Sequence, residues 1–208
     1  MSLRYLALGD SYTIGEGVAP GGRWPHQLAA ALRAEGLALE DPLTIAATGW
    51  TTDELDAAID AAAPPGPFDF TSLLIGVNNQ YRGHPMDRYA VEFEALLGRA
   101  IGFAAGRPDR VLVLSIPDWG VTPFGAASGR DPGRIAHELD AFNAAARAAC
   151  AARGVAFVDI TPASRAAGAT PAMLAEDGLH PSAGQYADWA RLALPVARAL
   201  LQSPRTTP

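Results

Sequence analysis

The residues best suited to chemistry lie near the two ends of the chain, a serine after the first apolar segment and a histidine close to the C-terminus. Ser11 follows Gly9 and Asp10, and a glycine at that point lets backbone and ligand approach closely. A serine hydroxyl is a weak nucleophile that needs a neighbouring base. His180 is the candidate base, and Asp177, three residues before it in a turn with glycine and proline, can orient its ring. Each motif alone is weak, because serines at strand ends are more often turn or cap residues and histidines in turns are more often simply solvated.

Acyl transfer also needs hydrogen-bond donors directed at the oxyanion that develops in the transition state. The backbone N–H groups of Ser11 and Gly49 and the side-chain amide of Asn78 could supply three such donors. Taken singly, Gly49 also fits an ordinary turn and Asn78 fits an Asx turn. The sequence therefore predicts an oxyanion site only if these residues meet at one place.

Two further aspartates offer alternatives. Asp159 ends a predicted strand and could replace Asp177 as the partner of His180. Asp10 could be a metal ligand or a phosphate-accepting aspartate. Because the chain has no lysine and no acidic cluster beside Asp10, a structural hydrogen-bonding role is favoured for it.

The elements that must position these residues are short apolar segments alternating with longer helical patterns. Five strands are predicted, at Tyr5–Leu8, Leu43–Ala46, Phe70–Ile75, Val111–Ile116 and Val155–Ile160. Helices are predicted at Pro25–Glu35, Thr52–Ala62, Met86–Ala105, Ile135–Arg153 and Ala183–Leu201. This alternation predicts an α/β fold, a parallel sheet covered by helices on both faces, in one domain over residues 1–208 with a disordered tail at about 204–208. In such sheets ligands bind at the carboxyl ends of the strands, where the candidate residues lie.

Two loop-like segments, Asn79–Pro85 and Pro117–Gly133, are expected to form walls of the site. Aromatic side chains on or near them could line a pocket for an acyl or alcohol group, although plain packing explains each of them equally well. The candidate pocket residues are Trp50, Tyr81, Trp119 and Phe124.

Composition excludes several function classes. The net charge is −6 with no clustered basic segment, which argues against a nucleic-acid partner. No run of about 18 apolar residues predicts a membrane span, and the N-terminus lacks a signal-peptide layout, so a cytoplasmic location is expected unless a leader has been removed. The absence of lysine excludes Walker and Schiff-base lysines. With Cys150 as the one cysteine and the four histidines far apart, we expect neither a disulfide nor a metal or other cofactor.

Taken in order along the chain, these motifs resemble the GDSL/SGNH hydrolase family. The blocks that carry the resemblance are Gly9-Asp10-Ser11, Gly49, Gly76-Val77-Asn78 and Asp177-x-x-His180. The resemblance implies a flavodoxin-like three-layer α/β/α sandwich with a five-stranded parallel sheet. It also implies hydrolysis of esters or thioesters without a cofactor, in which Ser11 is the nucleophile, His180 and Asp177 complete a triad, and Ser11, Gly49 and Asn78 donate to the oxyanion.

Two positions depart from the family pattern. Asn79 stands where the family usually has aspartate, so a structural carboxylate is lost and the role of Asn79 is open. Tyr12 stands where the family has leucine, a change that we do not expect to touch the chemistry.

The expected substrate is a small-molecule ester with a short acyl chain, from acetyl to about hexanoyl, because the connections offer no long lid or apolar tunnel. Two alternatives are an acyltransferase that uses the same serine and a catalytically silent binding module on the same fold. The sequence does not indicate an oligomeric state.

Overall fold

Five short strands form one parallel sheet. The structure, a computed structural model, describes residues 2–202, so the predicted disordered tail lies outside the described residues. The strands are β1 (Tyr5–Gly9), β2 (Leu43–Ala46), β3 (Phe70–Leu74), β4 (Val111–Leu114) and β5 (Ala156–Val158). Their order is β2-β1-β3-β4-β5, the flavodoxin-like order.

Helices pack on both faces of this sheet. In the described residues they are α1 (Ser11–Ile14), α2 (Trp24–Ala34), α3 (Thr52–Ala62), α4 (Val77–Tyr81), α5 (Met86–Phe103), α6 (Pro123–Ala127), α7 (Pro132–Arg153), α8 (Thr161–Ala167) and α9 (Ala183–Gln202). Right-handed crossovers place α2, between β1 and β2, on one face, and α3, α5 and α7 on the other. In agreement, α2 packs against α9, while α5 packs against both α3 and α7. The predicted three-layer α/β/α architecture is confirmed.

The central strands are apolar because both of their faces are covered. Every residue of β1, β3 and β4 is buried, whereas the edge strands β2 and β5 are only partly buried. Burial on both faces explains the near-continuous apolar runs that marked these strands in the sequence. No helix between residues 2 and 202 combines the length and apolarity needed to cross a bilayer.

The sheet register brings the ends of three strands level. Gly9 at the end of β1 pairs with Ala46 of β2 and with Leu74 of β3. The segments that follow these three residues therefore leave the same edge of the sheet together. This register positions the candidate site.

The predicted loops are partly helical. Helix α4 overlaps the segment predicted as a loop at Asn79–Pro85, and the segment Pro117–Gly133 contains a 3-10 turn at Trp119–Val121 and helix α6. Helices of four or five residues are too short to show a 3.6-residue periodicity, so the pattern could not reveal them. The five long predicted helices are confirmed to within about three residues at each end.

Candidate active site

The end of β1 is held close to β3 by Gly9. A Cβ at this position would lie 2.4 Å from the Leu74 carbonyl oxygen and 2.2 Å from the Thr13 hydroxyl oxygen, so any larger residue would push Ser11 and α1 away from the sheet. Asp10 then begins α1, because its Oδ1 accepts a hydrogen bond from the Tyr12 backbone N–H at 3.0 Å. Ser11 is the first residue of this helix and is 4% exposed.

Asp10 is fully buried beneath Ser11 and supports the turn rather than binding a ligand in this arrangement. Its burial raises the pKa of the carboxyl to about 7, although the Tyr12 N–H acts to lower it. Its second oxygen, Oδ2, has no hydrogen-bond partner among residues 2–202. An orphaned oxygen in an apolar surrounding favours the neutral acid, which agrees with the raised pKa.

The second motif forms a tight turn in which the Asp177 carboxylate makes its hydrogen bonds within four residues. Asp177 Oδ1 accepts from the backbone N–H groups of Leu179 and His180, each at 2.9 Å, and Oδ2 lies 2.5 Å from His180 Nδ1. Partial burial acts to raise the pKa of Asp177, but the hydrogen bonds from His180 and Leu179 hold it below its ordinary value. The carboxylate is therefore ionised at neutral pH, which assigns the proton of the ring to Nδ1 and leaves Nε2 as an acceptor.

These two motifs meet at one cavity of about 150 Å³ at the strand ends, here called the strand-end cavity. Of the residues singled out from the sequence, its lining contains Ser11, Gly49, Asn78, Tyr81, Trp119, Phe124 and His180. Within residues 2–202, the Ser11 hydroxyl makes no hydrogen bond to the His180 ring. Such contacts are often long in unliganded sites and shorten when substrate is bound.

Backbone and side-chain N–H groups are available on the opposite side of Ser11. Gly49 has φ +88°, a left-handed conformation that favours glycine, and its carbonyl accepts from Arg82 at 2.5 Å. Asn78 donates one of its two amide hydrogens to the Trp50 carbonyl at 2.9 Å. This bond orients the amide and leaves its second N–H unused. Across the described chain, the backbone N–H groups of Ser11 and Gly49 also have no acceptor.

Three aromatic rings form one wall of the strand-end cavity. Tyr81 lies edge-on to Trp119 with ring centroids 5.3 Å apart, and Phe124 lies 6.2 Å and 6.1 Å from these two rings. Trp119 is held in place by its indole N–H, which donates to Gln80 Oε1 at 2.8 Å, while Gln80 donates to Glu138 at 2.8 Å. The fixed ring of Trp119 limits the size of the group that the strand-end cavity can bind.

Trp50 does not belong to that wall. The cavity lining excludes it, and its half-buried ring packs against the hydrophobic core instead. It contributes to the site through its carbonyl, the acceptor for Asn78. The pocket role of Trp50 stays a prediction, since its partly buried ring packs against the hydrophobic core and does not line the strand-end cavity.

Asn79 is fully buried and lies outside the strand-end cavity. Its Oδ1 accepts from the Thr52 backbone N–H at 3.1 Å, and its Nδ2 donates to the Thr52 hydroxyl at 2.7 Å. The Thr52 hydroxyl in turn donates to Glu92. Asn79 thus connects α4 to the first turn of α3. Because Glu92 accepts the hydrogen of the Thr52 hydroxyl, the oxygen of that hydroxyl is left to accept from an amide, and Asn79 fits where the family usually has aspartate.

Asp159 does not compete for His180. It accepts from the Ser115 hydroxyl at 2.9 Å and from Arg147 at 2.7 Å. The first bond joins the ends of β4 and β5 and the second joins α7 to the end of β5, so the alternative pairing considered for Asp159 is wrong for this structure.

Four residues that line the strand-end cavity were not predicted as site residues from the sequence: Tyr12, Thr48, Val77 and Leu179. Each is a chain neighbour of a residue that was singled out, which is the signal that could have found them. The Tyr12 ring lies 5.6 Å from the His180 ring and 5.9 Å from the Trp189 ring, so it packs directly behind the candidate base. The exchange of leucine for tyrosine at position 12 therefore lies in the site itself.

The family of this chain is identified by its similarity to known proteins. The model of the GDSL-like lipase/acylhydrolase family matches residues 7–187. The chain belongs to this family. It is accordingly an esterase or acylhydrolase of the GDSL type. A search of curated proteins finds no match.

Solved structures of other proteins have the same fold. TesA superposes with a TM-score of 0.75 at 20% identity, over 95% of this chain and 99% of that one. A member of the lipolytic G-D-S-L family from Veillonella parvula gives 0.69 at 18% identity, over 94% and 98%. An acetylxylan esterase from Geobacillus stearothermophilus gives 0.69 at 17% identity, over 99% and 97%. At these low sequence identities, the similarity shows that the fold is shared and no more.

Proposed function

We propose that this GDSL-type protein hydrolyses carboxylic esters with short acyl chains through an acyl-enzyme formed on Ser11. The observation that carries the proposal is the Asp177–His180 pair, bonded at 2.5 Å, in a turn that brings His180 to the same cavity as Ser11. An ionised carboxylate on Nδ1 leaves Nε2 free to accept the serine proton.

The reaction has two steps. Ser11 Oγ attacks the ester carbonyl while His180 Nε2 takes its proton, and the tetrahedral intermediate collapses as His180 returns that proton to the leaving alcohol. Water then attacks the acyl-enzyme with the same base, and the acid leaves as Ser11 regains its proton. In both steps the negative oxygen accepts hydrogen bonds from the N–H groups of Ser11, Gly49 and Asn78.

Cavity size supports short acyl groups. The strand-end cavity holds about 150 Å³ and is bounded by the aromatic wall of Tyr81, Trp119 and Phe124. The fold shared with an acetylxylan esterase is consistent with an acetyl-sized group. We expect kcat/KM to be highest among p-nitrophenyl esters from acetate to about hexanoate. A steady rise in kcat/KM to long-chain esters would contradict this preference.

The nucleophile is tested by labelling. A fluorophosphonate probe should modify Ser11, and Ser11→Ala should lose both the label and the hydrolysis of p-nitrophenyl acetate while keeping its melting temperature. Ser128→Ala is the matched control, since Ser128 lies outside the strand-end cavity and bonds to the Gly125 carbonyl. Labelling that persists in Ser11→Ala would remove Ser11 from this role.

Product analysis tests the acyltransferase alternative, which shares the same acyl-enzyme. With competing alcohols or amines at millimolar concentration, a hydrolase should still release mainly the free acid. Predominant transfer to the added acceptor would reassign the second step.

A further inference from the structure

A second cavity adjoins the strand-end cavity and shares Tyr81 with it. It has a volume of about 510 Å³, and its lining includes the arginines Arg82, Arg130 and Arg134. The Tyr81 ring therefore separates the candidate reaction centre from a cavity rich in guanidinium groups.

Two of these arginines already have partners. Arg82 pairs with Glu54 at 3.1 Å and donates to the Gly49 carbonyl at 2.5 Å. Arg134 pairs with Glu138 at 2.7 Å. Their charges are largely neutralised within the protein.

Arg130 differs from both. Its guanidinium lies 4.6 Å from the centroid of the Tyr81 ring and 5.6 Å from that of Trp119. In the described part of the chain, it forms neither an ion pair nor a side-chain hydrogen bond. Stacking on aromatic rings holds a guanidinium plane in position while its N–H edge stays free to donate.

The two carboxylates in the same lining form hydrogen bonds to groups other than Arg130. Glu138 accepts from Arg134 at 2.7 Å and from Gln80 at 2.8 Å. Asp131 Oδ1 accepts from the Gly133 backbone N–H at the start of α7. Asp131 keeps its negative charge but is bound to the start of α7, so Arg130 is the arginine of this lining whose guanidinium has no ion-pair partner among the described residues.

From this geometry we infer that the second cavity is a subsite for an anionic group of the ester substrate, a carboxylate or a phosphate, which Arg130 binds while the ester carbonyl lies at Ser11. The inference rests on the proposed ester hydrolysis and specifies its substrate class. A carboxylate or phosphate offers two acceptor oxygens in the geometry that the guanidinium edge matches. The Arg130 guanidinium stacks on Tyr81 and Trp119, and both of these rings also line the strand-end cavity. One ligand can therefore contact Arg130 and the strand-end cavity together.

Matched pairs of esters test the subsite. Monoethyl glutarate against ethyl pentanoate places the carboxylate on the acyl side, and 4-acetoxybenzoate against its methyl ester places it on the alcohol side. The compound 4-acetoxyphenyl phosphate tests a phosphate. We expect at least one anionic ester to show a kcat/KM about tenfold above its neutral partner, mainly through KM, as a charged hydrogen bond to substrate provides. Equal values in all pairs would overturn the inference.

Variants of the arginine identify its role. Arg130→Gln should abolish the anionic-to-neutral ratio of kcat/KM, and Arg130→Lys should restore part of it. Arg147→Gln is the matched control, because Arg147 stacks 4.6 Å from the Phe157 ring but lies outside both cavities. A ratio that survives in Arg130→Gln, or that falls equally in Arg147→Gln, would also overturn the inference.

Binding separates this inference from the proposed function. Titration calorimetry of the Ser11→Ala protein with the same pairs measures Kd without turnover, and the anionic ester should bind about tenfold more tightly than the neutral one. The added substitution Arg130→Gln should remove the difference. If the wild-type protein hydrolyses no ester, the proposed hydrolysis fails, whereas equal binding of the two members of every pair, or a difference that survives Arg130→Gln, contradicts the subsite.

Discussion

The two sides of the strand-end cavity are built in different ways. On one side, the Asp177 carboxylate makes its hydrogen bonds within four residues. On the other, Asn78 and Trp119 are held by partners 28 and 39 positions away in the sequence, Trp50 and Gln80. The pairing of Asp177 with His180 therefore depends mainly on residues close in the chain, while the opposite side depends on the packing of α3, α4 and α7. Substitutions on the first side should act mainly on rate, and substitutions on the second should divide between rate and stability.

The largest effect is expected in the local turn. Asp177→Asn should lower kcat by about 10³–10⁴-fold, because a neutral amide no longer favours the tautomer with the proton on Nδ1. The melting temperature should change little, since the Asp177 side chain is 42% exposed. Steady-state kinetics and thermal unfolding measure both quantities.

Asp159→Asn is the control for that variant. It should leave kcat near the wild-type value and lower stability instead, because Asp159 bonds to Ser115 after β4 and to Arg147 of α7. A damaging Asp159→Asn together with a silent Asp177→Asn would require a different triad.

The next effect is expected on the opposite side, at Asn78. Asn78→Ala should lower kcat by about 10²–10³-fold with little change in KM, the usual cost of one lost oxyanion donor. If Asn78 only oriented the Trp50 carbonyl, its removal would instead lower the melting temperature and leave kcat within a few-fold. Measuring kcat, KM and melting temperature distinguishes these outcomes.

A substitution at Asn79 should affect stability more than rate, the opposite of what we expect at Asn78. Asn79→Ala removes two buried bonds to Thr52 and should lower the free energy of unfolding by about 2 kcal/mol, while kcat falls far less than in Asn78→Ala. Urea unfolding measures the stability. The double variant Asn79→Ala/Thr52→Val should be less destabilised than the sum of the single variants, and strict additivity would show that the two side chains do not interact.

A further effect, on stability and not on rate, is a pH dependence at Asp10. Its pKa of about 7 lies above the ordinary value of about 4, so between these two values the folded state holds a proton that the unfolded state has released. The free energy of unfolding should therefore fall as pH rises through this window, by at most about 1.4 kcal/mol per pH unit. Asp10→Asn, which does not ionise, should remove this slope.

Asp177 provides the opposite sign for comparison. Its lowered pKa gives stability that is present above the ordinary aspartate pKa and is lost as pH falls below it. Urea unfolding of the wild type, Asp10→Asn and Asp177→Asn, from below the ordinary aspartate pKa to above the raised pKa of Asp10, measures both effects. Parallel curves for the wild type and Asp10→Asn would show that burial does not shift the pKa of Asp10.

Features of the site that depend on short stretches of chain could be read from the sequence. The turn holding Asp177 and His180 follows from a carboxylate three residues before an imidazole with Gly178 between them. The strand-end position of Ser11 follows from the apolar run before it. In both cases the residue types and their spacing contain the physical cause.

Other features required the fold, because their causes lie far away in the chain. Nothing near Trp50 shows that its ring turns to the core, nothing near Asn79 identifies Thr52 as its partner, and nothing near Arg130 places it over Tyr81. Side-chain direction at a strand end depends on which helices pack there, and hydrogen-bond partners depend on the register of the sheet. Local chemistry along the chain was enough to predict a nucleophile, a base and a class of reaction, whereas the shape and charge of the space around these residues depend on how distant segments pack together.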